Sequence, residues 1–356
     1  MKRKKTQGLS SKRGDQMNGI LYIITGAAGH LAEAILRALD GTGCLIRGLL
    51  LPGEQGLTGE NITYYTGDVT KPETLDPMFE NSGGRKVIVI HCAGIVSIQK
   101  KVSPDIYRVN VTGTKNILAK CRQYGVHRLV YVSSVHALPE KKGSVVREVD
   151  HFSPDTVEGA YAKTKAEATQ AVMDAAKSGL NAVIVHPSGI VGPFDRHGSN
   201  HMVQMMNLYL RRRLPAGVEG GYDFVDVRDV ARGILLAAEK GRPGECYILS
   251  NRYISMREIF EEMRVCTGRW HRSPLISHGA ARLIAPLCES FAKLARKRSI
   301  LTAYSVHTLT GQVRFSHQKA TAELGYQTRA FSETVKNTLA DLQKDRKSRL
   351  PETVLG

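Results

Sequence analysis

The sequence predicts an α/β fold, a doubly wound parallel sheet with a smaller C-terminal domain. Three observations carry this. From Ile20 onward, short apolar runs of strand length alternate with amphipathic stretches of helical length, the pattern of successive βαβ units. A glycine-bearing turn, Thr25-Gly26-Ala27-Ala28-Gly29-His30-Leu31-Ala32, joins the first run to the first amphipathic stretch. The chain has 356 residues, 42% hydrophobic and 23% charged, enough to bury one large core and a satellite without disulfides or metal.

In order, Ile20–Ile24 reads as the first strand, Leu31–Leu39 as the first helix, Leu45–Leu51 as the second strand and Ile62–Tyr65 as the third. Val87–His91 is a fourth strand, Tyr107–Tyr124 a helix and Leu129–Val132 a fifth strand. Ala160–Lys177 is another helix, followed by Ala182–His186 as a sixth strand. Right-handed crossovers then put the ligand crevice at the carboxyl ends of the strands. Beyond Pro187 the pattern loosens, with Gly, Pro and Arg around Gly192–Arg213 and mixed character over Trp270–Arg314. We therefore expect a basic tail over 1–18 and a dinucleotide-binding domain over 19–187, with 223–250 returning to it. A smaller substrate-binding region is expected over 188–222 and 251–345, and a tail over 346–356.

In the turn, Gly26 permits the tight bend, Gly29 lets the backbone approach a pyrophosphate, and the small Ala32 lets helix and strand pack closely. The helix amino terminus offers free N–H groups and a favourable dipole to the anion. A glycine turn alone is a weak signal, but strand, turn and helix follow in the order of a Rossmann-type dinucleotide site. The adenosine end carries a weaker signal. NAD sites place an Asp or Glu at the end of the second strand, NADP sites an Arg. Leu49-Leu50-Leu51-Pro52-Gly53-Glu54 has neither there, so the cofactor is NAD or NADP, leaning to NAD because no arginine clamp is visible.

Tyr161 and Lys165 stand at i and i+4, on one face of a helix. Lowering a phenol from about 10 to near 7 takes roughly 4 kcal/mol, much of which a nearby ammonium can supply. Tyr161 could then exchange a proton with a substrate oxygen while hydride moves at the adjacent carbon. An isolated Y-x-x-x-K is more often a surface Tyr beside a solvated Lys. Here Ser133-Ser134 ends the fifth strand, where Ser134 can reach the same oxygen.

Gly26 to Ala32, Gly67-Asp68-Val69, His91-Cys92-Ala93-Gly94, Asn110 in Val109-Asn110-Val111-Thr112-Gly113-Thr114, Ser133-Ser134, Tyr161 to Lys165 and His186 to Pro193 follow one another in order. With Asp223 to Ala231 and Glu323-Leu324-Gly325-Tyr326, the chain over about 20–345 resembles the extended short-chain dehydrogenase/reductase superfamily. The resemblance implies Ser134, Tyr161 and Lys165 as catalytic, with Asn110 supporting the tyrosine helix. It implies cofactor contacts from Gly26, Ala28, Gly29, His30, Leu31, Asp68, Val69, Ala93, Gly94, Tyr161, Lys165, Pro187 and Ile190, with Lys165 on the nicotinamide ribose and Pro187 and Ile190 beside the nicotinamide. Cys92 and Gly94 depart from the commoner small-residue pattern. His136 and Ser188 are candidate substrate contacts, and no metal is implied.

After Ser133-Ser134 the chain reads Val135-His136-Ala137-Leu138, without the acid that a dehydratase needs beside the tyrosine. The sequence is thus more similar to the hydroxysteroid dehydrogenase and dihydroflavonol reductase-like branch, an NAD(P)-dependent interconversion of a secondary alcohol and a ketone. Nucleotide-sugar epimerase or dehydratase chemistry is the alternative, and a non-catalytic dinucleotide sensor or scaffold is a second.

The formal charge is +17, yet Lys2, Arg3, Lys4, Lys5, Lys12 and Arg13 crowd the first residues against one acid, Asp15. We read that tail as disordered, with Met17 an alternative start. The other basic residues are dispersed, which argues against nucleic acid. Arg211-Arg212-Arg213 reads as a solvated turn before an anion site. The cysteines, Cys44, Cys92, Cys121, Cys246, Cys266 and Cys288, are scattered, as in a reducing cytoplasm. The expected partner is a small, apolar substrate; homodimerisation stays open. Leu283, Ile284, Leu287, Phe291 and Leu294 recur at helical spacing over Ala280–Arg298, and packing on the small domain is favoured over peripheral membrane contact.

Overall fold

The computed structural model describes residues 19–97, 102–140, 143–214, 216–268, 274–281, 283–284 and 313–348. The strands are β1 (Ile20–Thr25), β2 (Leu45–Leu50), β3 (Ile62–Thr66), β4 (Lys86–His91), β5 (Arg128–Val132), β6 (Val145–Val146), β7 (Ala182–Pro187), β8 (Gly189–Val191), β9 (Gly217–Val218), β10 (Gly221–Asp226), β11 (Cys246–Leu249), β12 (Arg252–Ser255), β13 (Leu275–Ile276) and β14 (Arg314–Phe315). Seven of them form one parallel sheet in the order β11-β7-β5-β4-β1-β2-β3. The order reverses between β1 and β4, so a crevice opens there at the carboxyl ends.

Successive residues of each strand face opposite layers. Ile23, Val89, Tyr131 and Ile184 join Ile117 of helix Gly113–Gln123 and Val172 of helix Ala160–Lys177 on one side. Ile24, Ile90, Val130 and Val185 join Ile35 of helix His30–Leu39 and Ile234 of helix Val227–Lys240 on the other. These side chains are fully buried, each worth about 1.5–3 kcal/mol over exposure. That two-sided burial is why the strands read as continuous apolar runs.

Two expectations are corrected. The helix expected over 107–124 is three pieces: helix Pro104–Tyr107, capped by Ser103 Oγ accepting the Ile106 N–H at 3.3 Å; a wide π turn, Arg108–Thr112; then Gly113–Gln123. A single widened turn leaves no mark on hydrophobic periodicity. The returning segment is likewise shorter than 223–250. β10 pairs with β8 in parallel and with β12 antiparallel, forming a separate three-stranded sheet, and only helix Val227–Lys240 and β11 rejoin the main layers. Gly189 makes this possible, because a Cβ there would lie 2.9 Å from the Asp223 carbonyl oxygen.

β11 is an edge strand whose Ile248 N–H donates to Glu148 Oε1 at 2.8 Å. Arg211, Arg212 and Arg213 are exposed in the turn that ends helix His201–Leu210, matching the solvated reading. Of the amphipathic stretch expected over 280–298, residues 282 and 285–298 lie outside the described residues, as does Cys288; Leu283 and Ile284 are 79% and 41% exposed. The tails over 1–18 and 349–356 lie outside them too.

Candidate active site

The turn after β1 holds Gly26 at φ 66°, and a Cβ there would sit 2.9 Å from Ala93 Cα. Glycine is required twice over, by dihedral and by the close approach of the loop that follows β4. Gly29 begins helix His30–Leu39 without a side-chain cap. Its first amides therefore point to the crevice uncapped, as an anion-binding helix start requires. The His30 side chain, expected at the cofactor, turns to the small sheet: Nε2–H donates to the Pro193 carbonyl at 2.8 Å, and Asn200 Nδ2 lies 3.4 Å from Nδ1. Leu31 is partly buried on the same side, Ala28 is partly exposed at the turn, and Ala32 is packed at 1% exposure.

Behind the turn runs a one-way chain of hydrogen bonds. The Ala93 N–H donates to Thr25 Oγ1 at 3.1 Å, and Thr25 lies 2.7 Å from His91 Nδ1. His91 Nε2 lies 3.1 Å from Thr114 Oγ1, which donates to the Asn110 carbonyl at 2.7 Å. Only an Nε2–H imidazole lets each hydroxyl give one proton and receive one. Burial, with the Lys165 charge adding to it, holds His91 down to about 3, so the ring stays neutral. No spacing in the sequence announced this chain.

Asn110 sits in the π turn and uses its whole amide. Oδ1 accepts the Ile95 N–H at 2.7 Å, while Nδ2 donates to the Ile95 carbonyl at 3.0 Å and to Thr164 Oγ1 at 3.1 Å. Thr164 donates onward to the Tyr161 carbonyl at 2.9 Å. Asn110 thus couples the loop after β4 to the helix bearing Tyr161 and Lys165. Gly94 lies in that loop, where a Cβ would be 3.3 Å from Asn110 Oδ1 and 3.5 Å from Lys165 Nζ. Asp68 Oδ1 accepts the Thr70 N–H at 2.8 Å, and Val69 is buried against Gly113.

Lys165 is 5% exposed, donates to the Val132 carbonyl at 2.8 Å, and lies 5.0 Å from the Tyr131 ring centre. Burial lowers it to about 8, the Cys92 thiol pulling weakly the other way. Cys92 is pushed up to about 12 by burial, so it is no nucleophile. Tyr161 is 9% exposed, with its ring edge-on to His136 at 6.1 Å. Ser134 Oγ accepts the His136 N–H at 3.2 Å, and the Ser134 carbonyl faces His186 Nδ1 at 3.0 Å. His136 stacks on Tyr222 at 5.7 Å, with Nδ1 3.5 Å from Glu140. Tyr222 and Glu140 were not singled out in the sequence, since nothing in their spacing links them to His136.

Pro187 closes β7 beside Leu249, and the Ile190 carbonyl accepts from Asn200 Nδ2 at 2.7 Å. Ser188, expected at the substrate, is instead 6% exposed and donates to Asp223 Oδ1 at 2.7 Å. Asp223 also accepts the Asn251 N–H at 3.1 Å, and burial raises it to about 6. Ser188 belongs to the joint between the two sheets.

Comparison with known proteins decides the family. The NAD dependent epimerase/dehydratase family matches residues 22–250. The chain belongs to this family. Within the NAD dependent epimerase/dehydratase family it is 30% identical over 312 residues to sterol demethylase protein B of Methylococcus capsulatus, covering 85% of this chain and 92% of that one. It is also 30% identical to the 4-hydroxy-2-methyl-3-oxo-4-farnesyl-3,4-dihydroquinoline-1-oxide ketoreductase of Stigmatella aurantiaca, over 85% of this chain and 90% of that one. The crystal structure of gox2253 superposes with a TM-score of 0.74 at 29% identity, covering 91% of this chain and 98% of that chain. The protein is thus an enzyme of the extended short-chain dehydrogenase/reductase type that works with a nicotinamide dinucleotide.

Proposed function

We propose that this enzyme interconverts a secondary alcohol and a ketone on a flat, apolar small molecule, with Tyr161 as general acid and base. What supports the reading is that Tyr161 and Lys165 share one helix, that His136 touches both the Tyr161 ring and Ser134 Oγ, and that Lys165 lies beside Gly94 of the loop Asn110 pins. The crevice fits a dinucleotide, because the glycine at 26 and the uncapped start of helix His30–Leu39 leave room and amides for a pyrophosphate. Gly94 keeps the space over Lys165 open.

When bound, the nicotinamide supplies the hydride acceptor or donor. Tyr161 then takes the proton from the substrate hydroxyl, or returns it to the carbonyl oxygen. Lys165, as an ammonium below about pH 8, stabilises the phenolate and holds the nicotinamide ribose. Ser134 shares the substrate oxygen. Asp68, Val69, Ala93, Pro187 and Ile190 are the residues that would line the dinucleotide.

His136 and Tyr222 form an aromatic wall beside Tyr161, and Phe224 and Phe315 pack edge-on to Tyr222 at 6.0 Å each. Such a wall favours a ring substrate over a hydrated sugar. The names of the sterol and farnesyl-quinoline relatives support the same substrate class. The smaller region over 188–222 and 251–345 is the part of the chain to which we assign substrate binding. Scattered thiols support a cytoplasmic setting. No helix among the described residues is long and apolar enough to cross a membrane. Nucleic acid has no part in this function, peripheral membrane contact is not favoured, and homodimerisation stays open.

Tyr161→Phe tests the assignment. Turnover of secondary alcohols or ketones should fall by about a hundredfold or more, while dinucleotide affinity stays within about twofold. A Phe variant that keeps most of its activity overturns the role of Tyr161. A panel of UDP- and TDP-sugars runs beside it, and turnover of one with no net cofactor reduction replaces this reading by epimerisation.

A further inference from the structure

Ser134 lies past the end of the main sheet. β5 stops at Val132, and the Ser133 N–H, which donates to the Val185 carbonyl at 2.9 Å, ends its backbone bonding to β7 among the described residues. The chain then bends into a short helical turn, Val135–Ala137. The Ser134 carbonyl accepts the Ala137 N–H at 3.0 Å, and Ser134 Oγ accepts the His136 N–H at 3.2 Å. Both bonds lie within the turn and move with it, so neither ties it to the sheet.

His186 does. It stands in β7 one residue before Pro187, is fully inaccessible, and brings Nδ1 to 3.0 Å from the Ser134 carbonyl oxygen. A carbonyl oxygen only accepts, so Nδ1–H is the donor and the tautomer is fixed. Phe152 stacks on the ring at 5.4 Å, 19° from parallel, and holds its plane. Burial lowers the imidazole to about 4, the Ser134 bond opposing it and the Lys165 and Lys319 charges adding to it, so the ring stays neutral. Nε2 of the neutral ring is an acceptor, and among the described residues it is buried without a hydrogen-bonding partner. A leucine would fill this place without stranding an atom, so the bond from Nδ1 to Ser134 is what a histidine adds here.

We infer that His186 is a positioning residue: it ties the Ser134 turn to β7 and so sets where the Ser134 hydroxyl meets the substrate oxygen. The inference rests on the role proposed above for Ser134. Asparagine holds Nδ2 where histidine holds Nδ1, whereas leucine has no donor, so the two substitutions separate the bond from the bulk. Oxidation of the secondary alcohol that the wild type turns over fastest is followed in His186→Leu, His186→Asn, Ser134→Ala and the double variant of His186→Leu with Ser134→Ala. In His186→Leu kcat should fall about tenfold, and in His186→Asn it should return to within about threefold of wild type. The double variant should be no slower than Ser134→Ala, because the two residues act as one unit. NADH affinity, read by nicotinamide fluorescence, should stay within about twofold throughout, and the thermal midpoint of His186→Leu should not fall, since the stranded acceptor is gone. Full turnover in a folded His186→Leu, or losses that add in the double variant, overturns the role of His186 and leaves Ser134 in place. Full turnover in Ser134→Ala removes Ser134 from the reading above, and His186 with it. The tautomer is read without substrate. The nitrogen-15 spectrum of imidazole-labelled enzyme should show a histidine protonated at Nδ1 alone, unchanged from about pH 8 to about pH 5 and missing from His186→Leu. A ring with its proton on Nε2 overturns the bond and the inference.

Discussion

At the scale of single residues, Lys165 shows how the site is maintained against the fold. Unfolded, its ammonium would keep its proton to the ordinary 10.5; folded, burial lets it go near 8. Between those values the unfolded chain binds more protons, so stability rises with pH across that window. Below about pH 8 the buried charge costs the fold on the order of 3 kcal/mol. Lys165→Met should therefore be inactive yet more stable than wild type at pH 7, and its advantage should shrink from pH 8 to pH 10. Urea melts at the two ends of that range check it, and a wild type that is the more stable at pH 7 refutes it. The pairing of Tyr161 with Lys165 was legible because i and i+4 share a helix face whatever surrounds them. The partner of Ser188 was not, since Asp223 comes from another strand and no local rule says which way a hydroxyl turns. His30 misled for the same reason: its place in the turn was readable, its contact with Pro193 was not.

Among the elements, the π turn Arg108–Thr112 has most effect on the site. A residue more than an α turn holds changes the direction of Asn110, and such turns recur at functional sites. The Asn110 amide is 1% exposed and satisfies both the N–H and the carbonyl of Ile95. Asn110→Ala would leave the part-buried Ile95 backbone and Thr164 without that partner, a loss of about 1 kcal/mol for each hydrogen bond. The expected outcome is a lower urea midpoint together with dinucleotide affinity weakened by about tenfold, because the loop carrying Ala93 and Gly94 loses its anchor. Unaltered affinity in a folded variant would show that the loop holds its shape without Asn110. The strands and long helices could be read in the sequence since burial on two faces or one gives a regular pattern. A widened turn interrupts no pattern, and β10 reads as a buried strand in either sheet.

At the scale of the whole molecule, distant segments are stitched by a few buried ions. Asp229 accepts from the Arg329 backbone N–H and from its Nε, both at 2.9 Å, and Asp226 lies 3.7 Å from Nε. Both carboxylates are nearly inaccessible, so the arginine ties the chain before the last helix, Phe331–Ser348, to helix Val227–Lys240. Arg329→Met should lower stability by about 3 kcal/mol, the cost of stranding a buried charge. Equilibrium urea denaturation measures it, and a loss of under about 1 kcal/mol would mean the acids find other partners.

The late arrival of β11 has a consequence for biosynthesis. β7 is complete once the ribosome has added Pro187, yet the strand that covers its outer side ends at Leu249. In between, the nascent chain must lay down β8, helix His201–Leu210, β10 and helix Val227–Lys240. Through that interval an apolar strand offers its unpaired amides and carbonyls to any neighbouring chain on the polysome. Glu148 shields only the finished edge, because the N–H it receives belongs to Ile248. Demand for chaperones, and sensitivity to codon-dependent pauses, should accordingly be concentrated in the stretch of message between those two strands.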